Sequence, residues 1–167
     1  MRILIAYSTK TGTCKECAKL LASELTRHDI DIVDLSKSDP EISNYDLSVI
    51  GGSIRMGKLD KRTLSFLTKN KDKLLNSNAA YFICNGFNEE TDNYFKKCFP
   101  ALLIERSLLH DTFGGELKLD KQKGLDKFIV KMLLKANEEN DEFAMPSILT
   151  ESIGRFADRI KEIGDLE

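Results

Sequence analysis

Apolar residues crowd the start of the chain and then change period. Ile3 to Tyr7 form a continuous apolar run after Arg2, the mark of a strand covered on both faces, so a strand is predicted over 2–7. A polar stretch, Ser8-Thr9-Lys10-Thr11-Gly12-Thr13, follows. From 13 to 27 the apolar positions fall at helical spacing: Cys14, Cys17, Ala18, Leu21 and Leu25, with Lys15, Glu16, Lys19 and Glu24 on other faces. A second strand is predicted over 30–35, and Asp39-Pro40 is a break. A third strand, 47–50, runs into Gly51-Gly52. Residues 60–73 read as a helix with Leu64, Leu67 and Leu74 facing the core. The fourth strand is 79–84, ending at Asn85-Gly86. Helical material follows from Thr91, interrupted at Pro100, with Tyr94, Cys98 and Leu102 on one face. A weaker fifth strand, 110–117, contains Gly114-Gly115, and two more helices are predicted over 125–135 and 149–163. The acidic stretch 138–142, followed by Pro146, reads as a loop.

Strands that alternate with helices predict an α/β fold with a parallel sheet covered on both faces. Ligands in such sheets bind beyond the carboxyl ends of the strands. The segments that matter are therefore 8–14, 51–59, 85–90 and 114–119. The first is the strongest signal. A loop that enters a helix aims free backbone N–H groups and the positive end of the helix dipole at its contents, which makes an anion site. Thr9, Thr11 and Thr13 add hydroxyls, Lys10 adds a charge, and Gly12 permits close backbone approach. The segment is neither a Walker A loop nor G-x-G-x-x-G. A plain turn with a Thr cap is the structural alternative. The position after the first strand favours phosphate.

The composition narrows the class. The chain has 167 residues, 41% hydrophobic and 31% charged, and reads as one globular domain over 1–167. Its net charge of −2 argues against general nucleic-acid binding. No apolar run approaches a membrane span, and the N-terminus lacks the pattern of a signal peptide. The four cysteines then read as reduced thiols in the cytoplasm. Cys14 and Cys17 form a C-x-x-C, yet both lie on the apolar stripe of their helix and no second Cys/His pair has ligand spacing. Burial is expected for both, and no metal site. His28 and His110 are isolated. Ser8 and Ser53 have no Ser-His-Asp partnership, so a hydrolase is unsupported.

Thr9-Lys10-Thr11-Gly12-Thr13-Cys14 resembles the flavodoxin phosphate loop, Thr/Ser-x-Thr-Gly-x-Thr, with Cys14 in place of the final Thr. That departure removes one hydroxyl and leaves the backbone donors. The resemblance implies FMN, with its phosphate in Ser8 to Cys14, and a doubly wound five-stranded parallel sheet of order 2-1-3-4-5. Gly51-Gly52-Ser53-Ile54-Arg55-Met56-Gly57 is similar to the Gly-x-Ser-Ile-Arg-x-Gly segment of the flavodoxin-like subfamily that contains the menaquinone-dependent protoporphyrinogen IX dehydrogenases. Residues 113–117 and 125–135 are similar to the late strand and inserted helix of that subfamily, which implies a helical insertion near the fifth strand. Residues 85–112 depart most from it.

On that resemblance Ser53, Ile54, Arg55, Met56 and Gly57 flank the flavin ring. The glycines at 51, 52 and 57 are expected to permit unusual backbone dihedrals there. Arg55 is a candidate to face a negative charge on the flavin or a substrate carboxylate, or else to form a surface ion pair. Met56 is a candidate to lie against the ring, or else to fill a gap in the packing. Asn85, Gly86 and Phe87 supply the third loop. Phe87 is the nearest aromatic cover, and Tyr94, a second candidate, better suits the core. The absence of Trp implies a flavin accessible to a flat substrate.

The expected function is an FMN-dependent oxidoreductase, with a quinone or a redox protein as partner and a porphyrinogen as the substrate that the resemblance implies. An electron-carrier flavodoxin without a substrate of its own is the alternative, and a non-redox phosphate-binding module is a third. Lys10, Arg55, Lys58, Lys61 and Arg62 near the site, with a pI of about 5.8, count against a carrier with a strongly acidic rim. No general acid or base is identifiable. The basic, apolar-striped segment Leu125 to Lys135 reads either as a peripheral contact with the inner face of the membrane or a quinone, or as an ordinary amphipathic helix packed on the domain.

Overall fold

The computed structural model describes residues 1–86, 90–115 and 146–165. Its parallel strands are β1 (Arg2–Ser8), β2 (Asp29–Asp34), β3 (Leu47–Arg55), β5 (Ala79–Cys84) and β6 (Leu109–Thr112), in the order β2-β1-β3-β5-β6. This is the predicted doubly wound order. Two elements among the described residues were not legible in the sequence: a 3-10 turn at Ile42–Asn44, and β4 (Lys58–Leu59), which is two residues long and folds back antiparallel on the end of β3.

The period-2 alternation of each strand divides the interior into two layers. Ile3, Ile5, Val49 and Phe82 face α1 (Thr13–Glu24) and the last described helix, α6 (Thr150–Gly164), packing with Leu21 and Phe156. Leu4, Ala6, Ile50, Tyr81 and Ile83 face the other layer. That layer holds α2 (Lys61–Lys69), α3 (Lys71–Leu75), α4 (Thr91–Cys98) and α5 (Ala101–Glu105). Central strands with both faces buried are what continuous apolar runs specify.

Several expectations change. The helix predicted over 60–73 divides at Asn70 into α2 and α3. Leu64 is 39% exposed and is not a core residue, while Leu67 and Leu74 are buried. Pro100 ends the α4 segment, because a proline cannot donate the helical hydrogen bond. Leu102 therefore sits on α5, 49% exposed, and does not continue the Tyr94–Cys98 face. The fifth strand is shorter than predicted and stops at Thr112. Phe87, the helix over 125–135 and the acidic stretch 138–142 lie outside the described residues. Among the described residues no helix is long and apolar enough to cross a membrane.

Candidate functional site

The carboxyl ends of β1, β3 and β5 deliver three chain segments to one edge of the sheet. At the end of β1, Gly12 occupies the N-cap of α1 with φ 92° and ψ −6°, a left-handed conformation that suits glycine. No side chain caps the helix. The first intrahelical bond runs from the Glu16 N–H to the Gly12 carbonyl at 3.1 Å. The amides of Thr13, Cys14 and Lys15 precede it and have no acceptor within the helix. Thr9 Oγ1 accepts from the Gly12 N–H at 3.0 Å, and the hydroxyls of Thr11 and Thr13 lie 3.4 Å apart. Lys10 is exposed.

Two residues of this segment turn away from the loop. The Ser8 side chain is buried, with its hydroxyl 2.6 Å from Thr63 Oγ1. Cys14 is buried in the α1-side core, so only its backbone N–H remains available to the loop. The Cys84 thiol meets those of Cys14 and Cys17. Burial, then the bonds and charges of Cys14 and Cys17, push the Cys84 thiol well above its ordinary pKa. A protonated, buried thiol is a packing group, not a nucleophile.

At the end of β3 two of the three glycines play a different part from the one expected, and only Gly57 has the unusual dihedral. Gly51 and Gly52 lie inside the strand. A Cβ on Gly51 would stand 2.0 Å from Phe82 Cζ, and one on Gly52 would stand 2.5 Å from Thr63 Oγ1. Their lack of a side chain makes room for neighbours and does not serve unusual dihedrals. The left-handed backbone comes later, at Met56 (φ 49°) and Gly57 (φ 72°), which join β3 to β4. The turn is held from two sides: the Asp60 N–H donates to the Ser53 carbonyl at 3.0 Å, and the Cys98 thiol donates to the Gly57 carbonyl at 3.3 Å. Asp60 then caps α2 by accepting from the Arg62 N–H at 2.9 Å. Met56 is 77% exposed, which excludes the gap-filling role. Arg55 is partly buried and has a partner, so it is not a free cation.

Thr63, which the sequence reading missed, joins these two segments. Its hydroxyl meets Ser8 and also donates to the Gly51 carbonyl at 3.1 Å. Nothing local to residue 63 announces this, since its partners are far away in the chain. Thr63→Val keeps the shape and strips both partners of a bond. Buried groups left in this state cost about 1–3 kcal/mol. A lowered urea midpoint for Thr63→Val, largely restored in Thr63→Ser, is the expected result. An unchanged midpoint would mean that water replaces both bonds.

At the end of β5, Asn85 is buried and accepts from Thr112 Oγ1 at 2.5 Å, and its N–H donates to the Gly114 carbonyl at 3.0 Å. The Gly114 N–H in turn donates to Thr112 Oγ1 at 3.1 Å. A Cβ on Gly115 would stand 2.9 Å from the Asn85 backbone. The third segment is thus tied to the end of β6, and Gly86 lies against Pro146. Tyr94 is packed in the α4-side core, as its helical face suggested.

The edge therefore offers amide donors beside β1, an uncommitted hydroxyl at the end of β3 and a protruding thioether on a tight turn. Ser53 Oγ is buried without a hydrogen-bond partner; Ser48 Oγ shares that state at the far end of the same strand. Buried polar atoms normally find partners. An anion at the α1 start joined to a planar polar group beside Ser53 fits these donors.

Residues 4–143 match the flavodoxin domain model. Over 180 aligned positions the chain is 27% identical to protoporphyrinogen IX dehydrogenase (quinone) of Escherichia coli K12, covering 99% of this chain and 97% of that protein. The two-electron-reduced flavodoxin of Megasphaera elsdenii matches with a TM-score of 0.55 at 14% identity, covering 77% of this chain and 98% of that one. The Fusobacterium nucleatum flavodoxin bound to flavin mononucleotide matches with a TM-score of 0.52 at 12% identity, covering 96% and 97%. At such identities the structural likeness speaks to the fold alone.

Proposed function

Since the chain belongs to the flavodoxin domain family, we propose that it binds FMN and uses it to oxidise a reduced organic substrate in a quinone-linked reaction, from a single unit spanning 1–167. The observation that carries this reading is the convergence of two features on adjacent strands. The Gly12-capped start of α1 follows β1, and the left-handed Met56–Gly57 turn follows β3. One suits a phosphate and the other the edge of a planar ring. The match to a quinone-linked dehydrogenase over nearly the whole of both chains supports a substrate-oxidising enzyme with the same chemistry.

In this reading the amides of Thr13, Cys14 and Lys15, with the hydroxyls of Thr9, Thr11 and Thr13, hold the phosphate. Ser8 and Cys14 contribute through their backbone, and Lys10 adds positive charge. Ser53, Ile54, Arg55, Met56 and Gly57 line the ring on one side, with Asn85, Gly86 and Phe87 on the other. FMN, when bound, supplies the two-electron chemistry; the protein binds it, orients it and controls access.

The test is anaerobic mixing of the FMN-loaded protein with protoporphyrinogen, then with a menaquinone analogue. The flavin's visible absorption is expected to fall on the first addition and to return on the second. No bleaching by the porphyrinogen, together with fast exchange with a ferredoxin-type protein, would replace the enzyme with an electron carrier. A colourless protein that takes up no FMN would sink both.

A further inference from the structure

We propose that Cys98 is a positioning residue for this site: its thiol holds the Met56–Gly57 turn in its left-handed conformation, and so sets the ring side of the pocket. The proposal rests on the flavin reading for its consequence, but the tether itself belongs to the protein alone. Arg55 and Lys58 pair across the turn, leaving two central residues, both with positive φ. Two-residue turns of this kind match the twist of the flanking strands and are normally built with Asn-Gly. Gly57 meets that demand without strain. Met56 does not, because an ordinary side chain in the left-handed region crowds its own backbone. Nor is the strain offset by burial, since Met56 is 77% exposed.

Such a conformation persists only where its surroundings impose it, and residues of this kind concentrate at functional sites. Among the described residues, Cys98 at the end of α4 reaches the turn from outside the hairpin: its S–H donates to the Gly57 carbonyl at 3.3 Å. Helix α4 begins at Thr91, soon after the segment that leaves β5. One thiol therefore couples the β3 turn to the helix that follows the third loop of the site. Cys98 differs from Cys14, Cys17 and Cys84, which are buried in the core, in being partly exposed.

The test compares Cys98→Ala, which removes the donor, with Cys98→Ser, which keeps one. In the ligand-free protein, amide hydrogen exchange at residues 56–59 is expected to quicken in Cys98→Ala and to stay near wild type in Cys98→Ser. FMN affinity, read by quenching of flavin fluorescence, is expected to fall about three- to tenfold in Cys98→Ala, the worth of one modest hydrogen bond, and to recover in Cys98→Ser. Adding Met56→Asn to Cys98→Ala should restore slow exchange, because Asn accepts the left-handed conformation. Unchanged exchange in Cys98→Ala would overturn the tether. Faster exchange with unchanged FMN affinity would overturn its role in positioning. Wild-type protein that binds no FMN would instead remove the flavin reading, and the positioning role with it, while the exchange data still decide whether the tether exists.

Discussion

Gly12→Val is expected to lower the affinity for FMN by at least about a hundredfold while changing the affinity for riboflavin little. The reasoning starts from the backbone. Gly12 sits at φ 92°, where a β-branched residue is strained. Valine would pull the N-cap toward negative φ and swing the amides of Thr13, Cys14 and Lys15 out of convergence. It would also disturb the 3.0 Å bond from the Gly12 N–H to Thr9 Oγ1. Each hydrogen bond to a charged group is worth about 1.5–3 kcal/mol. Losing two costs about 3–6 kcal/mol, and every ~1.4 kcal/mol is tenfold, so the loss spans roughly two to four decades. Riboflavin lacks the phosphate and so provides the control. Fluorescence titration with both ligands separates a phosphate defect from general unfolding, which would weaken both. FMN affinity equal to wild type would show that the phosphate is held elsewhere.

Gly51→Ala carries the largest expected loss of stability. Gly51 lies opposite Phe82 in the β3–β5 ladder, and the added methyl would stand 2.0 Å from the Phe82 ring. That ring has no room to retreat. It is fully buried and stacks on Phe113 at 4.6 Å between centroids, and Phe113 meets Phe156 edge-on at 5.1 Å. Overpacked cores lose about 1–3 kcal/mol, and a ring locked on its far side places this variant near the upper end. Urea unfolding of Gly51→Ala, Phe82→Leu and the double variant checks the mechanism. A shorter side chain at 82 accommodates the methyl, so the double variant should be more stable than the sum of the single losses predicts. Strict additivity would mean that the strand backbone, and not the ring, absorbs the methyl.

Much of this molecule was legible in one dimension. The strand of residues 79–84 was read with its observed ends, and the helix starts near 13, 61, 91 and 150 came within a residue of where they lie. Apolar period and turn residues are local properties, and alternation of the two periods sufficed for the parallel α/β class; the strand order came from the resemblance to the flavodoxins. The candidate loop at 8–14 was visible for the same reason: its glycine and threonines lie within five residues. The errors share a cause. Gly51 and Gly52 looked like loop residues because glycine is read as a break, but what excludes a side chain there is Phe82 and Thr63. Nor does the chain near Ser8 reveal that its hydroxyl is committed to a helix 55 positions away, which leaves its backbone to the loop. Leu64 fitted the apolar stripe of its helix, but the fold leaves it 39% exposed.

The sequence by itself determined the strand and helix pattern, the α/β class and the place of the Gly12 loop between β1 and α1. These follow from the spacing of residues a few positions apart. The tertiary structure alone decided which hydroxyls remain free, that the buried Cys14 thiol meets Cys84, and that Cys98 reaches the Gly57 carbonyl. Those outcomes depend on contacts between residues 41 to 70 positions apart. The close packing of the folded chain creates such contacts, and no local periodicity encodes them.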